Sequence, residues 1–300
     1  MIPGQFDYQR PSSKSEALKM LADGGADARP LGGGHSLIPM MKLRMATPTV
    51  LVDLAKVPEL QGISISGPSI EIGATTTQHE LINSKDLYEA CPIIREVAEL
   101  IADPQVRYCG TVGGNVGNGD PGNDMPGLMQ CLGATYVLES VSGVREVAAR
   151  DFYQGAYVTA LNPGELVTRI KFSRPPQGHG FAYVKLKRKV GDYATAAAGV
   201  ILEMSGGKVR GASIALTNVA DTPLFAADAS KVLLGTSLEQ GDIDAAVKAA
   251  EAIANPTADG RGSAEYRRRM AGVMVRRALE KAKERAGEAK SGGIFGWLKG

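Results

Sequence analysis

The sequence predicts an α+β protein in three parts, and three observations support this prediction. A βαβ-like unit with a glycine-rich turn comes first, and mixed helix and strand patterns then run to Pro175 and Pro176. Three strand patterns followed by two helix patterns come last, as expected of an antiparallel sheet covered by helices. The predicted parts are residues 1–55, 56–177 and 178–287, with a flexible tail at 288–300.

The first part should begin with a helix and continue as two strands around a turn. Ser13 and Glu16 have the spacing of a capping box, so a helix should start there and end at two glycines. Strands are expected at residues 28–31 and 50–54. The turn after the first strand, residues 32–36, reads GGGHS, and its first three residues have no side chain.

The middle part alternates strands and helices. The segment ISISGPSIEIG predicts a hairpin that turns at Gly67 and Pro68. Thr77 should cap a helix, with Glu80 three residues later. The other predicted elements are a helix at 93–101 ended by Asp103-Pro104, a strand at 134–140, a helix start at 151–157 and a strand at 165–172.

The last part should contain three antiparallel strands, at residues 181–188, 194–203 and 209–216. Helices at 242–254 and from residue 263 to about 287 should cover them. In the second helix we expect the arginines to face water or a partner. The residues expected to face inward are Tyr266, Met270, Val273 and Ala278.

Composition is that of an ordinary globular chain, with 44% hydrophobic and 22% charged residues among 300. No apolar run approaches the roughly 20 residues that span a bilayer. The start also lacks the pattern of a signal peptide, so we expect a cytoplasmic protein. Ten Lys or Arg against four Glu in residues 261–290 could serve a nucleic acid or a membrane. Because few aromatic residues are interleaved, a solvated helix face or a subunit contact is favoured, and no nucleic acid partner is expected.

Cysteine and histidine usage gives no sign of a metal site on this chain. Cys91, Cys109 and Cys131 are 18 and 22 positions apart, which is neither a C-x-x-C pair nor a disulfide set. The three histidines are widely scattered. We therefore expect packing or loop roles for these residues, with Cys109 as buried filler or a reactive thiol, and no iron–sulfur cluster.

Residues 110–126, GTVGGNVGNGDPGNDMP, form the most unusual stretch, with six glycines. A backbone this bare can bring several N–H groups close to an anion such as a diphosphate, although an ordinary surface loop is the alternative. Gly117, Gly119 and Gly122 match G-x-G-x-x-G, but a dinucleotide fingerprint of that kind needs a strand before it and a helix after it. Pro121 and Pro126 should interrupt any helix here.

The GGGHS turn is a second glycine loop, and two such loops could hold opposite parts of one extended ligand. The Ser36 hydroxyl can donate a hydrogen bond to a phosphate. His35 could do the same, or could be a structural residue of the turn.

The paired loops GGGHS and GTVGGN resemble those of the FAD-binding medium subunits of the molybdenum hydroxylases. IADPQVR, GDPGNDMP and KLKRKVGDYATAA extend the resemblance over nearly all of residues 1–285. The last two stretches are most similar to the aerobic carbon monoxide dehydrogenase branch of this family. The resemblance implies two N-terminal α+β subdomains of the PCMH/VAO type that hold FAD between them, followed by a three-stranded antiparallel sheet with helices.

The resemblance also implies the cofactor-binding residues. Asp124 would reach the ribose or adenine end of FAD, and Lys185 and Tyr193 would lie beside the isoalloxazine ring. The residues implied at the two sides of the diphosphate are Gly32, Gly33, Gly34, His35 and Ser36, and Gly110, Thr111, Gly113, Gly114 and Asn115.

Two of these residue types suit flavin chemistry. A cation such as Lys185 or Lys187 would favour reduced flavin, which carries negative charge. Tyr193 could cover the ring and move aside for an electron acceptor, which makes it the candidate catalytic residue; packing in the sheet is its alternative role.

The chain departs from the family pattern at two places. Tyr108 and Cys109 stand where arginine is common, and Asn118 stands where many members have histidine. Contacts to the flavin or to an iron–sulfur partner could therefore differ.

The implied function is electron relay. The implied partners are a large molybdenum subunit that oxidises carbon monoxide, a small subunit with two 2Fe-2S clusters, and a quinone or similar acceptor, in a dimer of heterotrimers. The alternatives are the FAD subunit of a purine or aromatic hydroxylase, a free-standing FAD-dependent reductase, and a nucleotide-sensing module. The tail SGGIFGWLKG, residues 291–300, is a hypothetical hook for a partner or for the inner face of a membrane.

Overall fold

The computed structural model describes residues 2–287. Its first part consists of β1 (Asp7–Gln9), α1 (Lys14–Gly24), β2 (Ala28–Leu31), α2 (Leu37–Lys42) and β3 (Val50–Asp53). These strands form a parallel sheet in the order β1-β3-β2, with α2 connecting β2 to β3. Ser13 caps α1 as predicted by accepting from the Glu16 N–H, but the Glu16 carboxylate accepts from Ser12. The capping box is therefore half formed.

The second part is a five-stranded antiparallel sheet in the order β4-β5-β10-β6-β7, with helices packed on it. The hairpin at Gly67 and the capping box of Thr77 and Glu80 are confirmed. The elements of this part are β4 (Ile63–Ser66), β5 (Ser69–Gly73), α3 (Gln78–Asn83), α4 (Lys85–Ala90), α5 (Ile93–Leu100), α6 (Pro104–Cys109), α7 (Val112–Gly117), α8 (Asp124–Cys131), β6 (Thr135–Ser140), β7 (Gly143–Ala148), α9 (Ala149–Phe152), β8 (Tyr153–Gly155), β9 (Val158–Thr159) and β10 (Leu166–Ser173).

The third part is an antiparallel sheet covered by helices. It contains four strands where three were expected, because the two-residue β14 pairs with β13. The elements are β11 (Gly180–Leu186), β12 (Ala196–Ser205), β13 (Lys208–Thr217), β14 (Leu224–Phe225), α10 (Ala227–Lys231), α11 (Gln240–Ile253) and α12 (Ala264–Arg285).

The glycine stretch at residues 110–126 is more helical than predicted. It contains α7, which Thr111 caps by accepting from the Gly114 N–H at 3.1 Å, and the start of α8. The prediction that Pro126 excludes a helix is wrong, because a proline in the first turn gives up an N–H that has no partner within the helix. Asp103 likewise caps a new helix, α6, after α5 has ended. A helix precedes the loop where a dinucleotide fingerprint would need a strand, so the rejection of G-x-G-x-x-G is confirmed.

The buried face of α12 differs from the predicted one. Ala278 is buried as expected, and Met270 and Val273 pack partly buried against the core. Tyr266, however, is 43% exposed, while Arg267 is only 3% exposed. Burial of Arg267 is tolerated because its guanidinium donates to the backbone carbonyls of residues 195, 218 and 257 at 2.5 to 3.2 Å.

Glu96 on α5 joins the second part to the third. Its carboxylate accepts hydrogen bonds from the Tyr183 N–H at 3.0 Å, from Lys281 Nζ at 2.9 Å and from Arg285 Nη1 at 2.6 Å. Burial alone would raise the pKa of Glu96, but these three donors outweigh burial and lower it below its usual value. The junction therefore depends on ionised Glu96.

We expect Glu96→Gln to reduce the free energy of unfolding by about 1–3 kcal/mol at pH 7, as for other hydrogen bonds to a charged group. Because the folded pKa lies below the unfolded value of about 4.3, this contribution is present above that pH and is lost as the pH falls through the folded pKa. Denaturant titrations at pH 7 and at about pH 3.5 measure it. Glu265→Gln, in an exposed pair with Arg269, is the control and should change little. A loss of unfolding free energy in Glu96→Gln that is equal at both pH values would contradict the role assigned to ionised Glu96.

Within residues 2–287, no helix is both long and apolar enough to cross a bilayer. The hypothetical hook at residues 291–300 lies outside the described residues.

Candidate functional site

A cavity of about 790 Å³ lies where the three parts of the chain meet. All thirteen residues that the family resemblance placed at the cofactor line this one cavity. From the first part they are Gly32, Gly33, Gly34, His35 and Ser36; from the second Gly110, Thr111, Gly113, Gly114, Asn115 and Asp124; from the third Lys185 and Tyr193.

The two glycine loops pack directly against each other. A Cβ on Gly33 would collide with the carbonyl of Cys109 and the Cα of Gly110, and one on Gly32 would lie 2.7 Å from Thr111 Oγ1. Gly34 adopts φ +74°, which favours glycine for conformational reasons. At Gly33 the requirement is close approach between two backbones, so the loops form one rigid wall.

The second loop is also fixed from behind. The Gly113 N–H donates to the Ala74 carbonyl at 2.8 Å, and a Cβ on Gly113 would collide with Ala74. The Gly110 carbonyl accepts from the Gln78 N–H at 2.9 Å. These contacts leave the opposite side of α7's first turn free to face the cavity.

His35 and Ser36 lie at the cavity immediately before α2. The Ser36 side chain does not cap that helix. Its hydroxyl is therefore available to a ligand, as the sequence suggested, while His35 is exposed at the edge.

Asp124 and Lys185 form a buried ion pair in the wall of the cavity. Lys185 Nζ lies 2.7 Å from Asp124 Oδ2, and the two side chains are 2% and 5% exposed, respectively. The Tyr183 hydroxyl donates to Asp124 Oδ1 at 2.8 Å and lies 3.2 Å from Thr217 Oγ1. Burial raises the pKa of Asp124, and Lys185 and Tyr183 oppose that rise.

This pair changes the arrangement expected from the sequence. The family resemblance implies that Asp124 reaches the ribose or adenine end of FAD and that Lys185 lies beside the ring, and in the structure the two side chains touch. Asp124 therefore offsets part of the charge that Lys185 presents at the cavity wall.

Tyr193 lines both the main cavity and a smaller one of about 200 Å³, as Tyr157 does. Its ring is 44% exposed and lies 6.0 Å from the Arg261 guanidinium. The neighbouring Asp192 is held by Arg188 at 2.9 Å and by Arg261 at 3.6 Å. The exposed Tyr193 ring therefore follows an anchored residue and lies at both cavities.

The departures from the family pattern lie beside the loop junction. The Tyr108 ring is exposed and stacks on His79, with centroids 3.9 Å apart. Cys109 is exposed, so the expectation of buried filler is wrong for it, although Cys91 and Cys131 are buried. Asn118 lines the cavity at the end of α7.

Gln78 is a cavity residue that the sequence did not reveal. It is the first residue of α3 and is 1% exposed. Neither its Nε2 nor its Oε1 has a hydrogen-bond partner within residues 2–287. No motif marks it, because its importance depends on burial that only the folded chain creates.

Among residues 2–287, no group of three or more His, Cys, Asp or Glu side chains is placed to hold a metal ion. The polar groups of the cavity are backbone amides, hydroxyls, carboxamides, the Asp124–Lys185 pair and the charged residues Asp27, Arg29, Glu165 and Asp192. This set suits an extended polar organic ligand.

Two family models and several curated proteins match this chain. Residues 4–175 match the family described as "FAD binding domain in molybdopterin dehydrogenase", and residues 181–282 match "CO dehydrogenase flavoprotein C-terminal domain". The chain is 63% identical to the carbon monoxide dehydrogenase medium chain of Afipia carboxidovorans, over 95% of this chain and 99% of that one. It is 46% identical to the medium chain of Hydrogenophaga pseudoflava, over 94% and 98%.

A solved structure is equally similar. A chain in the crystal structure of the cyanide-inactivated Cu,Mo-CO dehydrogenase superimposes with a TM-score of 0.94 at 63% identity, covering 95% of this chain and 100% of that one. The chain therefore belongs to the FAD-binding family of the molybdopterin dehydrogenases, within the group of carbon monoxide dehydrogenase medium chains.

Proposed function

We propose that the chain is the FAD-carrying electron-transfer subunit of a molybdenum-containing carbon monoxide dehydrogenase. The observation that carries this proposal is the single cavity onto which both glycine loops, Lys185 and Tyr193 converge. Identity of 63% over nearly the whole length of a carbon monoxide dehydrogenase medium chain supports the choice of substrate.

The residues present fit FAD. The backbone around Gly33 and Gly113 brings two loops together without side chains, as a diphosphate requires, and Ser36 offers a hydroxyl donor. The carboxamide of Gln78 has no hydrogen-bond partner within residues 2–287, so it can form hydrogen bonds with a ligand in the cavity. In this proposal, the first loop and residues 110–115 hold opposite sides of the diphosphate.

Bound FAD supplies the ability to accept electrons and to pass them on. The chain's own residues tune and restrict that ability. Lys185 presents a positive charge that Asp124 partly offsets, so the pair sets the local potential in a wall from which water is excluded. Tyr193 controls access from the smaller cavity.

The remainder of the enzyme lies on partner chains in this proposal. A large molybdenum subunit converts carbon monoxide and water to carbon dioxide, two protons and two electrons, and a small subunit passes the electrons on through two 2Fe-2S clusters. This chain delivers them to a quinone or a similar acceptor, within a dimer of heterotrimers. The relatives' designation as medium chains and the Cu,Mo-CO dehydrogenase structure support this assembly.

Purification of the full-length chain with whatever subunits accompany it tests the proposal. Flavin, molybdenum and iron in one complex, together with bleaching of the flavin band by carbon monoxide, are the expected results. Bleaching by a purine or aromatic substrate alone would indicate a different hydroxylase. A lone chain that turns over with NADPH, or one that is colourless, would contradict the proposal in favour of a free-standing reductase or a nucleotide sensor.

Tyr193→Ala tests the proposed gate. We expect flavin content within about twofold of wild type, because the diphosphate wall is untouched, and a several-fold change in the rate at which an artificial acceptor reoxidises the reduced protein. Stopped-flow absorbance measures both. Tyr266→Ala removes an equally exposed tyrosine from α12 and should change neither. Equal loss of occupancy and reactivity in the Tyr193 variant would show that this residue is structural.

The membrane contact of residues 291–300 is a separate proposal, with the inner face of a membrane as the surface. Their deletion should reduce membrane-linked electron transfer while leaving the activity with a soluble acceptor intact. Unchanged membrane-linked transfer and unchanged complex assembly would contradict it.

A further inference from the structure

Gln78 is a buried side chain whose hydrogen bonds are missing. Both polar atoms of its carboxamide are buried and have no hydrogen-bond partner in the described part of the chain, although the residue's backbone N–H donates to the Gly110 carbonyl at 2.9 Å. A buried amide that makes no hydrogen bond costs about 1–3 kcal/mol for each unsatisfied group. Glutamine would be a costly choice at this position unless a ligand completed its bonds.

A ligand could reach Gln78 through the cavity. Gln78 lines it, and so does Asn115, whose Oδ1 is also buried and unpartnered. Gln78 lies beside the loop of residues 110–115, and Asn115 belongs to that loop, which carries the proposed diphosphate contacts. The unpaired carboxamide of Gln78 and the unpaired Oδ1 of Asn115 in one wall indicate a ligand that has hydrogen-bonding groups along this stretch.

The chemistry of the carboxamide narrows the ligand group. Nε2 can only donate and Oε1 can only accept. A diphosphate consists of acceptor oxygens, so it could satisfy Nε2 but would leave Oε1 unpaired. A hydroxyl both donates and accepts, and sugar or ribityl hydroxyls adjoin the diphosphate on each side.

We propose that Gln78 is a ligand-binding residue whose carboxamide exchanges hydrogen bonds with a hydroxyl-bearing segment next to the diphosphate of the bound dinucleotide. This inference rests on the proposed function, because it takes FAD as the ligand. It adds a specificity element that the glycine loops lack, since backbone amides recognise any diphosphate whereas Gln78 recognises what adjoins it.

Gln78→Met tests the proposal, because methionine keeps the length of the side chain and removes both polar atoms. We expect the full-length protein, with its accompanying subunits, to release FAD about ten- to hundredfold faster, as the loss of two hydrogen bonds predicts. The flavin-free variant should melt no lower than flavin-free wild type, because unpaired polar atoms have been removed from its interior. Released-flavin fluorescence and thermal melting give the two readouts.

Gln130→Met is the matched control. Gln130 is also buried, at 3% exposed, but its Nε2 already donates to the Pro223 carbonyl at 3.0 Å. This variant should melt lower than wild type and release FAD at the wild-type rate. A Gln78→Met protein with an unchanged FAD release rate, or one that melts lower like the control, would overturn the proposal. Wild type that holds no FAD would instead contradict the proposed function.

Half-cofactors distinguish the two hydroxyl sources. FMN carries the ribityl hydroxyls and ADP carries the ribose hydroxyls, and each is titrated as a competitor of FAD on wild type and on Gln78→Met. If only FMN binds more weakly to Gln78→Met than to wild type, Gln78 contacts the ribityl chain. If only ADP binds more weakly to the variant, Gln78 contacts the ribose. Equal competition on both proteins by both probes would contradict a hydroxyl contact.

Discussion

Gly33→Ala is expected to abolish retention of FAD, with a dissociation constant at least a hundredfold higher than that of wild type. The added Cβ would overlap the Cys109 carbonyl and the Gly110 Cα, which are backbone atoms that cannot rotate away. The two loops would have to separate, and their joint wall would be lost. A distortion of about 3 kcal/mol, at the upper end for overpacking, corresponds to the hundredfold change. Flavin absorbance per protein after gel filtration measures it.

Gly241→Ala is the control for this substitution. Gly241 lies in α11, and nothing stands within 4 Å of the position of its Cβ, so alanine should leave flavin content unchanged and stabilise the helix slightly. Gly114 offers a graded comparison, because a Cβ there would meet only Thr111 Oγ1, at 2.8 Å. We expect Gly114→Ala to weaken FAD less than Gly33→Ala, and Gly114→Val to crowd the cavity itself and abolish retention. Normal flavin content in Gly33→Ala would contradict the two-loop wall.

The glycine loops could be found in the sequence because glycine has no side chain, so a run of glycines indicates an accessible backbone without any knowledge of the fold. Each of the segments Gly32–Ser36 and Gly110–Asn115 contains three glycines, which leave the backbone open to a ligand whatever surrounds it. Convergence of the two loops on one ligand can therefore be inferred from the sequence. The sequence does not show why glycine is needed at each individual position. Whether Gly33 serves a ligand or a neighbouring loop depends on a contact 76 positions away, with Cys109.

Residues whose roles depend on tertiary burial could not be identified from the sequence. Arg267, Arg268 and Arg269 are consecutive and identical, yet only Arg267 faces three backbone carbonyls of the sheet and its loops. Gln78 opens a helix behind a threonine cap and looks like any helix-start glutamine. Asp124 and Lys185, 61 positions apart, were assigned separately because no local pattern shows that a strand brings one to the other.

Asp124→Ala should give the largest loss of stability of the variants considered, about 3–5 kcal/mol, because it leaves a buried ammonium without its partner. Lys185 is only 2% exposed, so water cannot replace the carboxylate. The hydroxyl of Tyr183 loses an acceptor in the same variant, although Thr217 stays within 3.2 Å of it. Denaturant unfolding at pH 7 measures the loss. The double variant Asp124→Ala/Lys185→Met should recover most of it, since no charge remains buried.

Lys185→Met alone separates an ion pair from simple packing through its pH dependence. Burial raises the folded pKa of Asp124 above the unfolded value of about 3.9 although Lys185 opposes the rise, so removing Lys185 should raise it further. A raised carboxyl pKa means that the folded protein binds more protons, so this variant should lose stability relative to wild type as the pH rises above the wild-type folded pKa of Asp124 and stop losing it above its own folded pKa. Single and double variants with additive, pH-independent effects would show that the pair is not coupled. Coupling of 2 kcal/mol or more would show that Asp124 and Lys185 stabilise the fold as an ion pair.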